Sequence, residues 1–296
     1  MFEGLTVAMV TPFREGKVDG EAVDRLVDHL LEGGVDGIVP GGTTGEGPVL
    51  LEEERRELFR RVRRRTAGRA FVLAGTGTNS TASTIAQTIL AREEGADGAL
   101  VVTPYYNKPT PDGLRAHFRQ VADSGGLPVC LYNVPGRTSV SLTALTVGEL
   151  SEHPGIVAIK EASGLLDFVS EICRETRLTV LSGDDSLTLP ILSVGGAGVV
   201  SVVGNAFPAP CRQMLRAFAA GRIDEARQLH QQLFRLSRVL FLESNPGPIK
   251  HLLARLGLIR EEFRLPLVPV TGETARRLEG VLRELPADWL PPGVRR

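Results

Sequence analysis

Lys160 closes the apolar run Ile156-Val157-Ala158-Ile159 and is followed, after Glu161, by the small residues Ala162-Ser163-Gly164. A β-branched run bounded by turn residues predicts a buried strand, so the amine lies at the exit of a dry wall. A charged amine is costly to bury. The uncharged form that burial favours is a nucleophile toward carbonyl carbon. Cation usage sharpens the point. Lysine and arginine total 34, and only Lys17, Lys108, Lys160 and Lys250 are lysine, which leaves 30 arginines. Arginine cannot form a Schiff base. Taken alone, the position also fits a snorkelling or ion-paired lysine.

Other chemistry-bearing residues fall at comparable places. Tyr132 ends the apolar run before that of Lys160, where its phenol can relay protons during carbinolamine formation and dehydration; the plain alternative is an aromatic core plug. Arg137 follows the turn Pro135-Gly136 and suits a bidentate carboxylate clamp or, more simply, a surface ion pair. The loop Gly41-Gly42-Thr43-Thr44-Gly45-Glu46-Gly47 offers backbone N–H groups and two hydroxyls suited to a carboxylate or phosphate. It lacks the Gly-Lys-Ser/Thr ending of a nucleotide loop, and a tight turn that merely needs glycine is the alternative. Gly75-Thr76-Gly77 has no third glycine at dinucleotide spacing and reads as a turn. Asp184 and Asp185 supply too few ligands for a metal; capping a helix or bonding a substrate suits them better.

The elements that must hold these residues alternate regularly. Apolar runs at 5–10 and from 36, then at 71–75, 99–103, 128–132, 156–160, 179–182 and 198–202, predict strands. Helical stretches near 20–31, 52–65, 81–94, 111–123, 143–150, 166–174, 186–194 and 208–220 separate them. Gly-Val-Asp-Gly at 34–37 returns as Gly-Ala-Asp-Gly at 95–98, each a helix stop followed by a strand start. Eight strands alternating with helices over about 220 residues predict a parallel (β/α)8 barrel, an open doubly wound sheet being the alternative. Chemistry in such barrels gathers at the C-terminal strand ends, where Thr43, Thr44, Tyr106, Tyr132, Arg137, Lys160, Gly183 and Asp184 would all lie.

After Gly221 the alternation stops. Residues 223–242 and 246–256 read as amphipathic helices, and a third, 276–285, lies among Pro266, Pro269, Pro286, Pro291 and Pro292. No Gly/Ser linker intervenes, so the chain divides into a catalytic barrel, 1–222, and a helical extension, 223–296, packed on it.

Composition excludes several partners. Hydrophobic residues make up 42% and charged ones 23%, with a formal net charge of −1, which gives no case for nucleic acid or an anionic membrane. No apolar run reaches the ~20 residues needed to span a bilayer. The start, Met1-Phe2-Glu3-Gly4, has no basic segment or long apolar core of a signal peptide, so a cytoplasmic location is expected. Cys130, Cys173 and Cys211 read as buried free thiols, and the five scattered histidines predict no metal site.

Taken together the motifs carry a resemblance. Gly42-Thr43-Thr44-Gly45-Glu46, Pro104-Tyr105-Tyr106-Asn107-Lys108-Pro109, Tyr132-Asn133-Val134-Pro135-Gly136-Arg137-Thr138, Ile159-Lys160-Glu161-Ala162-Ser163 and Ser182-Gly183-Asp184-Asp185 occur in order. They resemble the dihydrodipicolinate synthase family of the pyruvate-dependent class I aldolases, from Thr11-Pro12-Phe13 to Asn245-Pro246-Gly247-Pro248-Ile249-Lys250. The resemblance implies an imine between Lys160 and pyruvate, whose enamine adds to aspartate semialdehyde, with no metal or organic cofactor. It implies a proton relay of Thr43, Tyr132 and Tyr106, with Tyr106 reaching a neighbouring subunit of a homo-oligomer, by family habit a tetramer built from dimers. Thr43 and Thr44 would hold the pyruvate carboxylate and Arg137 that of the semialdehyde, while Gly183, Asp184 and backbone near Val200 would line the pocket.

Arg137 and the Thr-Thr pair favour the synthase over sialic acid lyases and sugar-acid dehydratases, which share the lysine and tyrosine. In feedback-inhibited relatives a His and a Glu contact lysine where this chain has Arg55 and Ser83, although Asn79 and Tyr105 are kept; weak or absent inhibition by lysine is expected. Gly47 and Gly247 replace residues that are often bulkier. The competing readings are an aldolase or lyase of the same superfamily acting on a keto-sugar acid or N-acetylneuraminate, and a barrel that binds a keto acid without catalysis.

Overall fold

Closure follows from which strands pair. In the computed structural model, which describes residues 1–290, the strands are β1 (Gly4–Ala8), β2 (Gly37–Val39), β3 (Phe71–Gly75), β4 (Gly98–Val102), β5 (Val129–Asn133), β6 (Ile156–Glu161), β7 (Thr179–Ser182) and β8 (Gly198–Ser201). Each pairs in parallel with the next, and β8 returns to β1 with Thr6 opposite Val200. Among the described residues these eight strands form a closed (β/α)8 barrel, not an open sheet.

Helices α1 (Gly20–Glu32), α2 (Glu52–Thr66), α3 (Thr81–Glu93), α4 (Pro111–Gly125), α5 (Ala144–Ser151), α6 (Leu166–Glu175), α7 (Thr188–Ser193) and α8 (Pro208–Ala219) follow the strands in turn. α1 shows why they form where they do. Asp19 caps it by accepting from Ala22 N–H, and Val23, Leu26, Val27 and Leu30 make an i, i+3, i+4 stripe buried against the strands. One apolar layer lies between helices and strands. A second, inside the barrel, contains Val39, Leu73, Leu100, Ala158, Leu181 and Val200. Phe2 and Phe71, with ring centroids 5.1 Å apart, stopper its N-terminal end. A Cβ on Gly37 would stand 2.1 Å from the Phe71 ring and one on Gly98 2.3 Å from Phe2, so both strand starts need glycine.

The first strand stops two residues short of the expected 5–10, because Val10 N–H bonds the Asn205 side chain instead of a neighbouring strand. A small hairpin, Phe13–Arg14 with Lys17–Val18, was not legible in the sequence. The extension forms α9 (Ile223–Val239), α10 (Gly247–Arg255) and α11 (Gly272–Glu284), with α9 packed on α8. Pro291 and Pro292 lie outside the described residues. Among the described residues no helix is long and apolar enough to cross a membrane.

Candidate active site

Residues of β6 alternate between the two layers: Ala158 faces the barrel axis and Ile159 the helices, so Lys160 points inward. It is only 5% exposed. The β5–β6 register sets Tyr132 opposite Lys160, and the Lys160 Nζ lies 4.0 Å from the centroid of the Tyr132 ring. Gly183 leaves room for the lysine stem, since a Cβ there would stand 3.1 Å from Lys160 Cε and 2.7 Å from Ala162 Cβ. Amine and phenol open onto a cavity of about 330 Å³ that Thr43, Thr44 and Arg137 also line.

The glycine loop forms the wall facing the lysine. Gly45 N–H and Gly47 N–H both donate to Gly42 O, and Glu46 N–H donates to Thr43 O. Gly41 needs its freedom, with φ of +67°. A Cβ on Gly47 would stand 2.1 Å from Gly41 O, and one on Gly75 2.6 Å from Gly42 N. Gly47 is therefore demanded by backbone contact, whereas among the described residues a Cβ on Gly247 would meet only Val270, at 3.4 Å. Arg55 grips the loop from the barrel side, donating from Nη1 to Gly75 O at 3.0 Å and from Nη2 to Gly47 O at 2.6 Å. Burial pulls its guanidinium below the usual arginine range.

The extension grips the same loop. Asn245 Nδ2 donates to Thr44 Oγ1 at 2.9 Å. Glu46, in left-handed backbone at φ +52°, accepts from Lys250 Nζ at 2.5 Å and from Arg264 N–H at 3.1 Å. Lys250 has no exposure and lies over Phe13 and Phe263, 4.4 and 5.0 Å from their centroids. Burial lowers its pKa and the adjacent Glu46 opposes that shift. Across the cavity Arg137, in a helical turn at Pro135–Thr138, donates from Nη2 to Asn245 O at 3.3 Å.

Other expected site residues are arranged differently. Tyr106 is 89% exposed with φ of +72° and stands outside this chain's own cavity, which Tyr105 lines instead. Asp184 Oδ1 accepts from the N–H and hydroxyl of Ser186, 2.8 Å each, capping a short 3-10 turn. Val200 belongs to the packed layer inside the barrel; neither it nor Asp184 lines the cavity. Cys130, two rungs below Tyr132, has its thiol pushed up to about 12 by burial. Among the described residues no three His, Cys, Asp or Glu side chains gather where they could hold a metal ion. What remains is a buried amine beside a phenol, with paired hydroxyls on one wall and a guanidinium on another. That arrangement suits covalent capture of a carbonyl compound carrying a carboxylate.

Comparison with known proteins finds likeness along nearly the whole chain. The family model for the dihydrodipicolinate synthetase family matches residues 1–285. The chain belongs to the dihydrodipicolinate synthetase family. A 4-hydroxy-tetrahydrodipicolinate synthase of Pelobacter propionicus is 48% identical over 279 residues, covering 93% of this chain and 96% of the relative. One of the same name from Methanocaldococcus jannaschii is 44% identical over 286 residues, covering 96% and 99%. The crystal structure of dihydrodipicolinate synthase from Aquifex aeolicus superposes with a TM-score of 0.93 at 44% identity, covering 96% of this chain and 98% of that one. Sequence reasoning singled out Lys160, Tyr132, Thr43, Thr44 and Arg137, which the structure brings to one cavity. It missed the hold of Arg55, Asn245 and Lys250 on the glycine loop; the scarcity of lysine was a signal for Lys250.

Proposed function

We propose that this chain condenses pyruvate with L-aspartate 4-semialdehyde to 4-hydroxy-tetrahydrodipicolinate, a step of lysine and diaminopimelate biosynthesis. The observation that carries this reading is the Lys160 amine 4.0 Å from the Tyr132 ring, in one cavity with Thr43, Thr44 and Arg137, in a chain of this family. Lys160 attacks the keto carbon of pyruvate, and the carbinolamine loses water to give an imine. The cationic imine nitrogen accepts electrons as a proton leaves the methyl group, so the enamine forms without metal or organic cofactor. The enamine carbon bonds to the aldehyde carbon of the semialdehyde. Its amino group then attacks the imine carbon, closing the ring and returning the Lys160 amine. One water is released per turnover.

Tyr132 and Thr43 carry protons to and from the carbinolamine oxygen. Thr43 and Thr44 hold the pyruvate carboxylate and Arg137 that of the semialdehyde, with Gly183 leaving room for the lysine stem. Tyr106 completes the relay in a neighbouring copy, so the active form is a homo-oligomer, a tetramer built from dimers, in the cytoplasm. The catalytic unit is the barrel of 1–222 and the extension of 223–296 supports it.

Borohydride reduction in the presence of pyruvate, followed by peptide mass analysis, tests the reading. Label on Lys160 that disappears in Lys160→Ala is expected; label on another residue would overturn it.

A further inference from the structure

A second pairing sits directly behind the first. The β5–β6 rung after Tyr132 and Lys160 sets Asn133 opposite Glu161. Successive strand residues point to opposite sides, so this rung faces the helices and not the cavity. Asn133 has no exposure and Glu161 is 1% exposed. Asn133 Nδ2 donates to Glu161 Oε2 at 2.8 Å. The other atoms are also engaged: Asn133 Oδ1 accepts from Leu142 N–H at 3.0 Å and Glu161 Oε1 from Ser163 N–H at 2.5 Å. Burial raises the Glu161 carboxyl, and the bonds from Ser163 and Asn133 oppose that shift. A carboxyl in an apolar wall is a costly group, and nothing in the condensation uses it.

The strand pair shows what such a bond does. Val129 faces Ile156 but Cys130 faces Ala158, so Val157 has no partner on β5 and the register shifts below the reactive rung. A bulge of this kind breaks the ladder locally, and the barrel floor therefore does not dictate the register above it. A slip of one residue would reverse the faces, turning Lys160 toward the helices and bringing Ile159 or Glu161 to the cavity.

We propose that Asn133 and Glu161 are positioning residues. Their bond pins the rung above the bulge, and the pinned rung holds the Lys160 amine against the Tyr132 ring. The inference rests on Lys160 as the imine-forming residue.

The test is the rate of imine formation with saturating pyruvate, read by timed borohydride quench and mass analysis at Lys160. In Glu161→Gln one oxygen must serve two donors, so whichever way the amide turns its nitrogen meets a donor, Asn133 Nδ2 or Ser163 N–H. That variant is expected to form imine about tenfold more slowly, with half-saturation by pyruvate within about threefold of wild type, because the lesion is in alignment of reacting groups. Exchanging the partners as Asn133→Asp with Glu161→Gln restores every hydrogen bond with the donor reversed, and should bring the rate back to within about threefold. A merely structural role would lower the melting temperature without this slowing. Should Glu161→Gln not fold, Asn133→Ala takes its place and the same slowing is required. A folded variant that forms imine at the wild-type rate, or a slowing that the exchange does not repair, would overturn the proposal. Wild-type protein unlabelled at Lys160 would instead defeat the imine assignment itself.

Discussion

Asn245 donates from its side chain to Thr44 Oγ1 across 2.9 Å, so the helical extension reaches over the barrel mouth and sets the direction of a hydroxyl in the glycine loop. A neutral hydrogen bond of this kind contributes only about 1 kcal/mol to folding. Its effect should therefore appear in binding more than in stability. Asn245→Leu is expected to keep its melting temperature within a few degrees while raising the pyruvate KM about tenfold. Steady-state kinetics beside a thermal melt check this.

Arg137 and Lys160 line one cavity but serve different substrates in the proposed reaction. Arg137→Ala should slow condensation about a hundredfold or more, as expected when a charged partner of a carboxylate is removed. Imine formation with pyruvate alone should change little. Equal losses in both assays would refute the clamp.

Arg55 lines the cavity beside Tyr105 and brings a buried guanidinium to that wall. A second cation there meets repulsion and desolvation without a new carboxylate to answer it. Added L-lysine is expected to leave the condensation rate unchanged at millimolar concentration, measured at subsaturating pyruvate.

Lys250 and Glu46 are both wholly buried at 2.5 Å. Removing one charge strands the other, so Lys250→Met should cost about 3–5 kcal/mol. Glu46→Gln combined with Lys250→Met leaves no stranded charge and should recover most of that loss. Denaturant unfolding of the three proteins decides it.

His117 is 5% exposed and bonds Thr81 Oγ1 through Nδ1, while its buried Nε2 has no partner among the described residues. Burial lowers its pKa from 6.5 to about 4. The unfolded chain thus takes up a proton near pH 6.5 that the native state refuses until about 4. Stability from this group is complete above pH 6.5 and declines as the pH falls toward 4, by roughly 3 kcal/mol. His117→Gln should lack that part of the acid dependence in unfolding curves at pH 7 and pH 4.5.

Much of this was written in local pattern. The repeat of βα units announced the barrel, since each strand run was short, β-branched and followed by a helix of regular period. Lys160 and Tyr132 were legible because both close such runs. The ties between loop and extension were not. Asn245 and Thr44 are 201 residues apart in the chain, and nothing in the periodicity of either segment refers to the other. The bulge at Val157 was equally hidden, because one unpaired residue leaves an apolar run unchanged. The small hairpin at Phe13 was missed for the opposite reason, two-residue strands being too short to show alternation.

The aromatic stopper of Phe2 and Phe71 makes the barrel a blind alley. Keto acid, aldehyde, expelled water and cyclic product all share the passage at the opposite end. The keto acid, bound deepest, must enter before the aldehyde, which fixes the order of entry by geometry before any affinity is considered.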